Sequence, residues 1–186
     1  YLSRCPDVIN AQEGFFDVES VWPKLEQALR QAISNLVAMR ETEGSNIYGD
    51  FIKRADLIAE KLAVIEERSP QVVEEYQIRL SDRINELLAK HNQVIEPERL
   101  LQEVAIFADR TSITEEIVRL KSHIKQFRLI IDADQPVGRK LDFLIQEFNR
   151  EANTIASKAN DYTLAQVVVE IKAEIEKIRE QIQNIE

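Results

Sequence analysis

The stretch ITEEIVRLKSHIKQFRLII, Ile113–Ile131, sets Ile113, Ile117, Leu120, Ile124, Phe127 and Ile131 at alternating intervals of four and three. That spacing draws one narrow apolar stripe along an α-helix, and the lysines, arginines and glutamates between them face away from it. Ser112 and Glu115 stand three apart in a capping-box pattern, which predicts where this helix begins. Asp134, Gln135, Pro136, Val137 and Gly138 interrupt the pattern, after which Leu141, Ile145, Phe148, Ala152, Ile155 and Ala159 resume it. Beyond Asn160 and Asp161, a third stripe runs through Leu164, Val168, Ile171, Ile175, Ile178, Ile182 and Ile185. Three such helices joined by short turns predict antiparallel, coiled-coil-like packing. The isoleucine-rich seam of the last helix favours more than two helices packing together, so self-assembly is an expectation.

Towards the N-terminus the pattern is looser. A helix is expected from Ser20 to about Thr42, with Pro23 in its first turn and Gly44 as its stop, and a second from Ile47 to Arg68. Ser69 and Pro70 read as an N-cap and first helical residue of a third, reaching Lys90, and Glu96–Pro97 opens another that ends near Asp109. Residues 1–19, with Cys5, Pro6 and Gly14, form an irregular lead-in. Residues 20–95 are expected to form a long helical hairpin region, and 96–186 a motif-bearing region of three to four helices. The fold class is all-α: 4 Gly, 5 Pro and 6% aromatic residues do not supply the turns and strands of a β-sandwich.

A net charge of −9 argues against wholesale coating of nucleic acid or anionic membrane. The charge is uneven, however. Glu96–Asn160 holds 10 Lys/Arg against 11 Asp/Glu, so nearly all of the −9 lies elsewhere and a polyanion-binding surface belongs in this segment. A single cysteine excludes an intrachain disulfide and points to a reducing, cytoplasmic setting. No apolar run approaches the roughly 18 residues of a membrane span. The chain starts with Tyr rather than Met, from which removal of an N-terminal part is expected.

Phosphate loops, CxxC pairs, HExxH and nucleophile elbows are all missing from the sequence. With two histidines and one cysteine, chemistry has to rest on carboxylates, with a histidine at most as a helper. Three places concentrate such groups. Around QEVAIFADRTSITEEIVRLKSHIKQF lie Glu103, Asp109, Arg110, Glu115, Glu116, Arg119 and His123; Glu116 and His123 share a flank but sit on the order of 10 Å apart along the axis, too far to share an ion unaided. A Glu116–Arg119 pair beside a core-bordering His123 is the competing reading there.

In QEFNREANTIASKAND, Gln146–Asp161, Glu147 and Glu151 share one helix face at a spacing that suits chelation of Mg²⁺ or Mn²⁺, and Arg150 borders it. Asn149, Asn153, Thr154 and Ser157 are poor helix-interior residues, so a merely solvated face leaves their presence unexplained. Third, PVGRKLDF starts a helix with Arg139 and Lys140 beside its free amides, a phosphate site or an ordinary Pro-initiated helix. Tyr48, Phe51, Tyr76 and Phe107 are expected to pack rather than stack on bases.

Taken together, these segments resemble the C-terminal helical portion of the YicC/YloC family. The likeness is carried by MRETEGSNIYGD, with Met39, Arg40, Glu43, Gly44 and Asp50; by RLLQEVAIFADR from Arg99 to Arg110; and by EEIVRLKSHIKQF from Glu115. It continues through PVGRKLDFLIQEFNREANTIASKAND and closes on IEKIREQIQNIE, nearly the whole chain. The resemblance implies a metal-dependent endoribonuclease of bacterial RNA turnover, using Mn²⁺ or Mg²⁺, assembled as a hexamer around RNA, and preceded in family members by an α/β segment. It also implies that Glu147, Asn149, Arg150, Glu151 and Asn153 belong to one polar site. The family pattern more often has Asp where Ser112 stands, and either residue can cap a helix.

The expectation is therefore that metal is held by some of Glu103, Asp109, Glu116, Glu147 and Glu151. Arg110, Arg119, Arg139, Lys140 and Arg150 would contact RNA phosphates, and His123 would act as general acid or base beside Glu147 and Glu151. The rival readings are an RNA-binding adaptor that presents transcripts to another nuclease, and a purely structural helical oligomerisation module.

Overall fold

The computed structural model describes residues 18–89, 97–133, 135–183 and 185. Most of the 1–19 lead-in, including Cys5, lies outside them, as does Asp134 of the expected turn. Every regular element among the described residues is a helix: α1 (Val18–Ala89), α2 (Pro97–Thr111), α3 (Thr114–Ile131), α4 (Gly138–Lys158) and α5 (Tyr162–Ile182). The chain divides into two compact units, Tyr1–Asn46 and Ile47–Glu186. In the first, the described residues are helical and expose Trp22, Leu25, Leu29, Ile33 and Leu36. The second holds the core.

The three expected stripes are the core. Every stripe residue of α3, α4 and α5 from Ile113 to Ile182 is buried except Ile131 and Ala159, which pack against the cluster as partly buried neighbours together with Ile185. A fourth stripe completes the set: Phe51, Ala55, Ile58, Leu62, Ile65 and Val72 of α1 are buried at the same four-and-three spacing, with Ser69 in the intervening position. Phe127 sits at the centre, 5.4 Å from Phe51 edge-on and 5.9 Å from Phe148.

Ion pairs give the register. Arg54 meets Glu174 at 2.8 Å and Arg68 meets Asp161 at 2.9 Å, so α1 and α5 run antiparallel. Arg128–Asp56 and Lys121–Glu66, both 2.5 Å, do the same for α1 and α3. With α4 packed between α3 and α5, the result is an up-and-down four-helix bundle of α1, α3, α4 and α5. The exposed pairs Arg128–Asp56 and Lys121–Glu66 stabilise little by themselves, and together with the part-buried Arg54–Glu174 and Arg68–Asp161 they mark which turns face each other. α2 is attached outside this ring, where Phe107 lies flat on Tyr76 at 3.7 Å.

Three local readings are corrected. The helix ends expected at Gly44 and at Ser69–Pro70 do not form: α1 holds all three residues within its bounds. Gly costs about 1 kcal/mol in a helix without stopping it, whereas Pro70 costs about 3 kcal/mol, because it removes the amide that would bond the Glu66 carbonyl and its ring crowds that carbonyl. Burial of Ile65 and Val72 on either side of Pro70 holds the helix together, as tertiary packing overrides local punctuation. The capping box at Ser112 does not form: the N-cap of α3 is Ile113, with no side-chain cap, and Glu115 turns to Arg119. Ile113 is in the core and fixes the entry of α3, which leaves Ser112 before the cap. Phe51 packs as expected, but Tyr48 is exposed and its hydroxyl donates to Asp132 at 2.8 Å.

Several carboxylates are held below their usual range. The Arg68 guanidinium does so for Asp161, whose side chain also accepts from the Leu164 amide at 2.9 Å and caps α5. Lys177 and Arg54 do so for Glu174. For Glu116, burial pushes upward, but Lys158, the residue's own backbone amide and Arg119 together prevail. Each group holds its proton more weakly in the folded than in the unfolded chain, so the unfolded chain binds more protons in acid. This stabilisation is complete above the ordinary carboxylate values of about 4 and is lost as pH falls through the lower folded values. In urea melts, the contribution of these groups is therefore flat from about pH 7 to 5, and the midpoint falls steeply below about pH 4.

Candidate metal and phosphate site

The site is built where α3 and α4 pass side by side. On α4, Glu147 and Glu151 lie one turn apart at the edge of the Leu141–Ile155 stripe. On α3, His123 precedes the buried Ile124 and so borders the same seam. His123, Glu147 and Glu151 each offer a ligand atom, and these atoms lie within 4.8 Å of one another. Glu147 and His123 are half-buried, and Glu151 is 3% exposed.

Two features of this group are costly to stability alone. The Nδ1 atom of His123 is buried with no hydrogen-bond partner among the described residues. Glu151 makes no hydrogen bond among them either, and its ion pair is with Arg119 at 3.8 Å, while Arg119 also bonds Glu115. A buried carboxylate without hydrogen bonds is unfavourable by several kcal/mol unless something positive faces it, roughly. Phe148, centroid 6.3 Å from the imidazole, backs the His123 ring.

The remaining expected residues sort by position. Arg139 and Lys140 share a cavity of about 400 Å³ with His123 and Glu147, walled by Ile130, Phe143 and Leu144, with Gln126 at its edge. They stand in the first turn of α4, whose N-cap, Val137, brings no side-chain cap to the free amides. Arg150 reaches Glu147 at 3.7 Å. Glu116 is outside the group: Lys158 holds its Oε1 at 2.8 Å. Glu103 and Asp109 are also outside it, exposed on α2 with Arg110. What the list of five carboxylates lacked was the tertiary pairing of α3 with α4, which joins His123 to Glu147 and Glu151.

The polar residues of α4 also divide. Thr154 bonds back to the Arg150 carbonyl at 3.1 Å and Ser157 to the Thr154 carbonyl at 2.9 Å, which is how the helix tolerates them. Asn149 and Asn153 line a separate groove of about 490 Å³ with Gln146, Arg150, Thr154 and Arg179. Arg150 borders both this groove and Glu147.

Fold and site together define a class, a four-helix bundle carrying a histidine–dicarboxylate group beside a cationic cavity. Residues 65–186 match the family model described as endoribonuclease YicC-like, C-terminal, and residues 1–49 that of the endoribonuclease YicC-like N-terminal region. The chain belongs to this YicC-like family. It is 49% identical over 185 residues to a probable endoribonuclease YicC of Clostridioides difficile (strain 630), covering 100% of this chain and 63% of the relative. To the probable endoribonuclease YicC of Haemophilus influenzae it is 37% identical over 183 residues, covering 98% of this chain and 62% of the relative. The chain thus spans somewhat under two thirds of the length of these curated relatives. Among the described residues no helix is long and apolar enough to cross a membrane.

Proposed function

We propose that this chain carries the hydrolytic centre of a metal-dependent endoribonuclease, with His123, Glu147 and Glu151 as the ligands of one divalent ion. The observation that carries the reading is the convergence of these three ligand atoms within 4.8 Å at the mouth of a cavity that also holds two cations. The donor set suits the ion: two carboxylates supply hard oxygen and the imidazole of His123 one nitrogen. One imidazole among carboxylates favours Mn²⁺ over Mg²⁺, which keeps to oxygen and water. A bound ion there would supply Lewis-acid polarisation of a phosphodiester and acidification of water.

The chain's own residues do the rest. Arg119, at 3.8 Å, fixes the Glu151 carboxylate while leaving its oxygens available. Arg139, Lys140 and the first-turn amides of α4 hold the substrate phosphate against the group, and Arg150 extends this contact over the outer ridge of α4. His123 serves as a ligand in this reading rather than as a free acid or base, because its nitrogen already lies among the carboxylate oxygens. The relatives' names, probable endoribonuclease YicC, support RNA as the substrate.

Incubating the purified chain with end-labelled single-stranded RNA tests this. Internal cuts are expected with Mn²⁺ and none with EDTA or in the Glu147→Gln/Glu151→Gln double variant. RNA that binds in EDTA, salt-sensitively, and stays intact with Mn²⁺ would instead establish an adaptor.

A further inference from the structure

We propose that Phe143 and the cavity beside it seat one unpaired nucleobase of the RNA, stacked on the phenyl ring next to the phosphate to be cut. This rests on the RNA reading above and deepens it.

Phe143 is 65% exposed, whereas Phe51, Phe127 and Phe148 are buried in the core. An isolated exposed ring means little by itself. This one, however, shares a cavity with His123 and Glu147, two of the three members of the metal group, and with Ile130 and Leu144 as apolar walls. Arg139 and Lys140 precede it by four and three residues, so ring and cations occupy one face of α4. Among the described residues neither cation has an ion-pair partner, although carboxylates are plentiful on this chain. An apolar recess, an open ring and uncommitted positive charge one turn away match the two halves of a nucleotide, base and phosphate.

A base inside a duplex cannot reach such a recess, because its faces are covered by its neighbours. The seat therefore makes the centre select single strands and loops, and it tolerates any base because all have a π face. It also sets the register: the stacked base fixes which phosphate meets Glu147 and His123.

The test uses the chain in EDTA, so that binding is read without cleavage. Its affinity is measured for a short fluorescent single-stranded oligoribonucleotide and for a strand of the same length that is abasic at every position. Phe143→Ala is expected to weaken binding about tenfold, and Phe143→Tyr to leave it nearly unchanged. The strand without bases should bind the unsubstituted chain more weakly by a similar factor and Phe143→Ala no more weakly than the intact strand does, the coupling expected of ring and base in contact. Additive effects of ring and base removal would overturn the seat alone, as would a Phe143→Ala variant whose sedimentation changes while its RNA affinity does not, since the ring would then cover another copy. No RNA binding by the unsubstituted chain would overturn the functional reading and the seat together.

Discussion

Glu151→Gln is expected to abolish RNA cleavage, by more than about 100-fold, while leaving the melting temperature unchanged or raising it. The first half follows from its place in the group: loss of residues that merely orient a ligand already costs 10- to 100-fold, roughly, and Glu151 would be a ligand itself. The second half follows from its burial. Glu151 is 3% exposed and its ion pair with the half-exposed Arg119 is long, 3.8 Å, so a neutral side chain of the same shape gives up little attraction while it removes a desolvation cost. Core residues behave in the opposite way, losing stability and activity together. Thermal melts and cleavage rates on the same preparation decide the matter; lost cleavage with a markedly lower melting temperature would make Glu151 a structural residue.

Phe148→Ala should have the largest effect on the fold. The ring is fully buried in contact with Phe127 and backs His123. Truncating a buried Phe costs about 3–5 kcal/mol through lost burial and the cavity left behind. For a bundle of this size that lowers the melting temperature by roughly 10 °C. Urea unfolding should show an earlier midpoint with an unchanged slope, since the surface exposed on unfolding is nearly the same. Because the ring also supports the imidazole, Mn²⁺ affinity should fall in the folded variant, and Phe148→Leu should recover much of the stability but less of the affinity. A midpoint unmoved by Phe148→Ala would contradict the packing described here.

The stripes of α3, α4 and α5 were legible because bulky Ile, Leu and Phe hold nearly every four-and-three position, so period alone defines the buried side. The α1 stripe was not, although its spacing is the same. Ala55 and Ser69 weaken it, Ile52, Leu57 and Val64 blur its edges, and Gly44 and Pro70 imitate boundaries that burial overrides. Glu147 and Glu151 could be found because one helix turn brings them together, a property of local sequence. Joining His123 to them requires the relative register of α3 and α4, which no local pattern encodes. Glu116 shows the reverse: its carboxylate neighbours in sequence suggested a ligand, but its partner, Lys158, is 42 residues away.

The most direct measurement is a calorimetric titration of the purified chain with Mn²⁺, repeated on the Glu147→Gln/Glu151→Gln variant and on His123→Ala. Binding to one site per chain, lost in both, is the predicted result. Binding that survives in either variant, or no binding by the unsubstituted chain, would contradict a metal centre between α3 and α4.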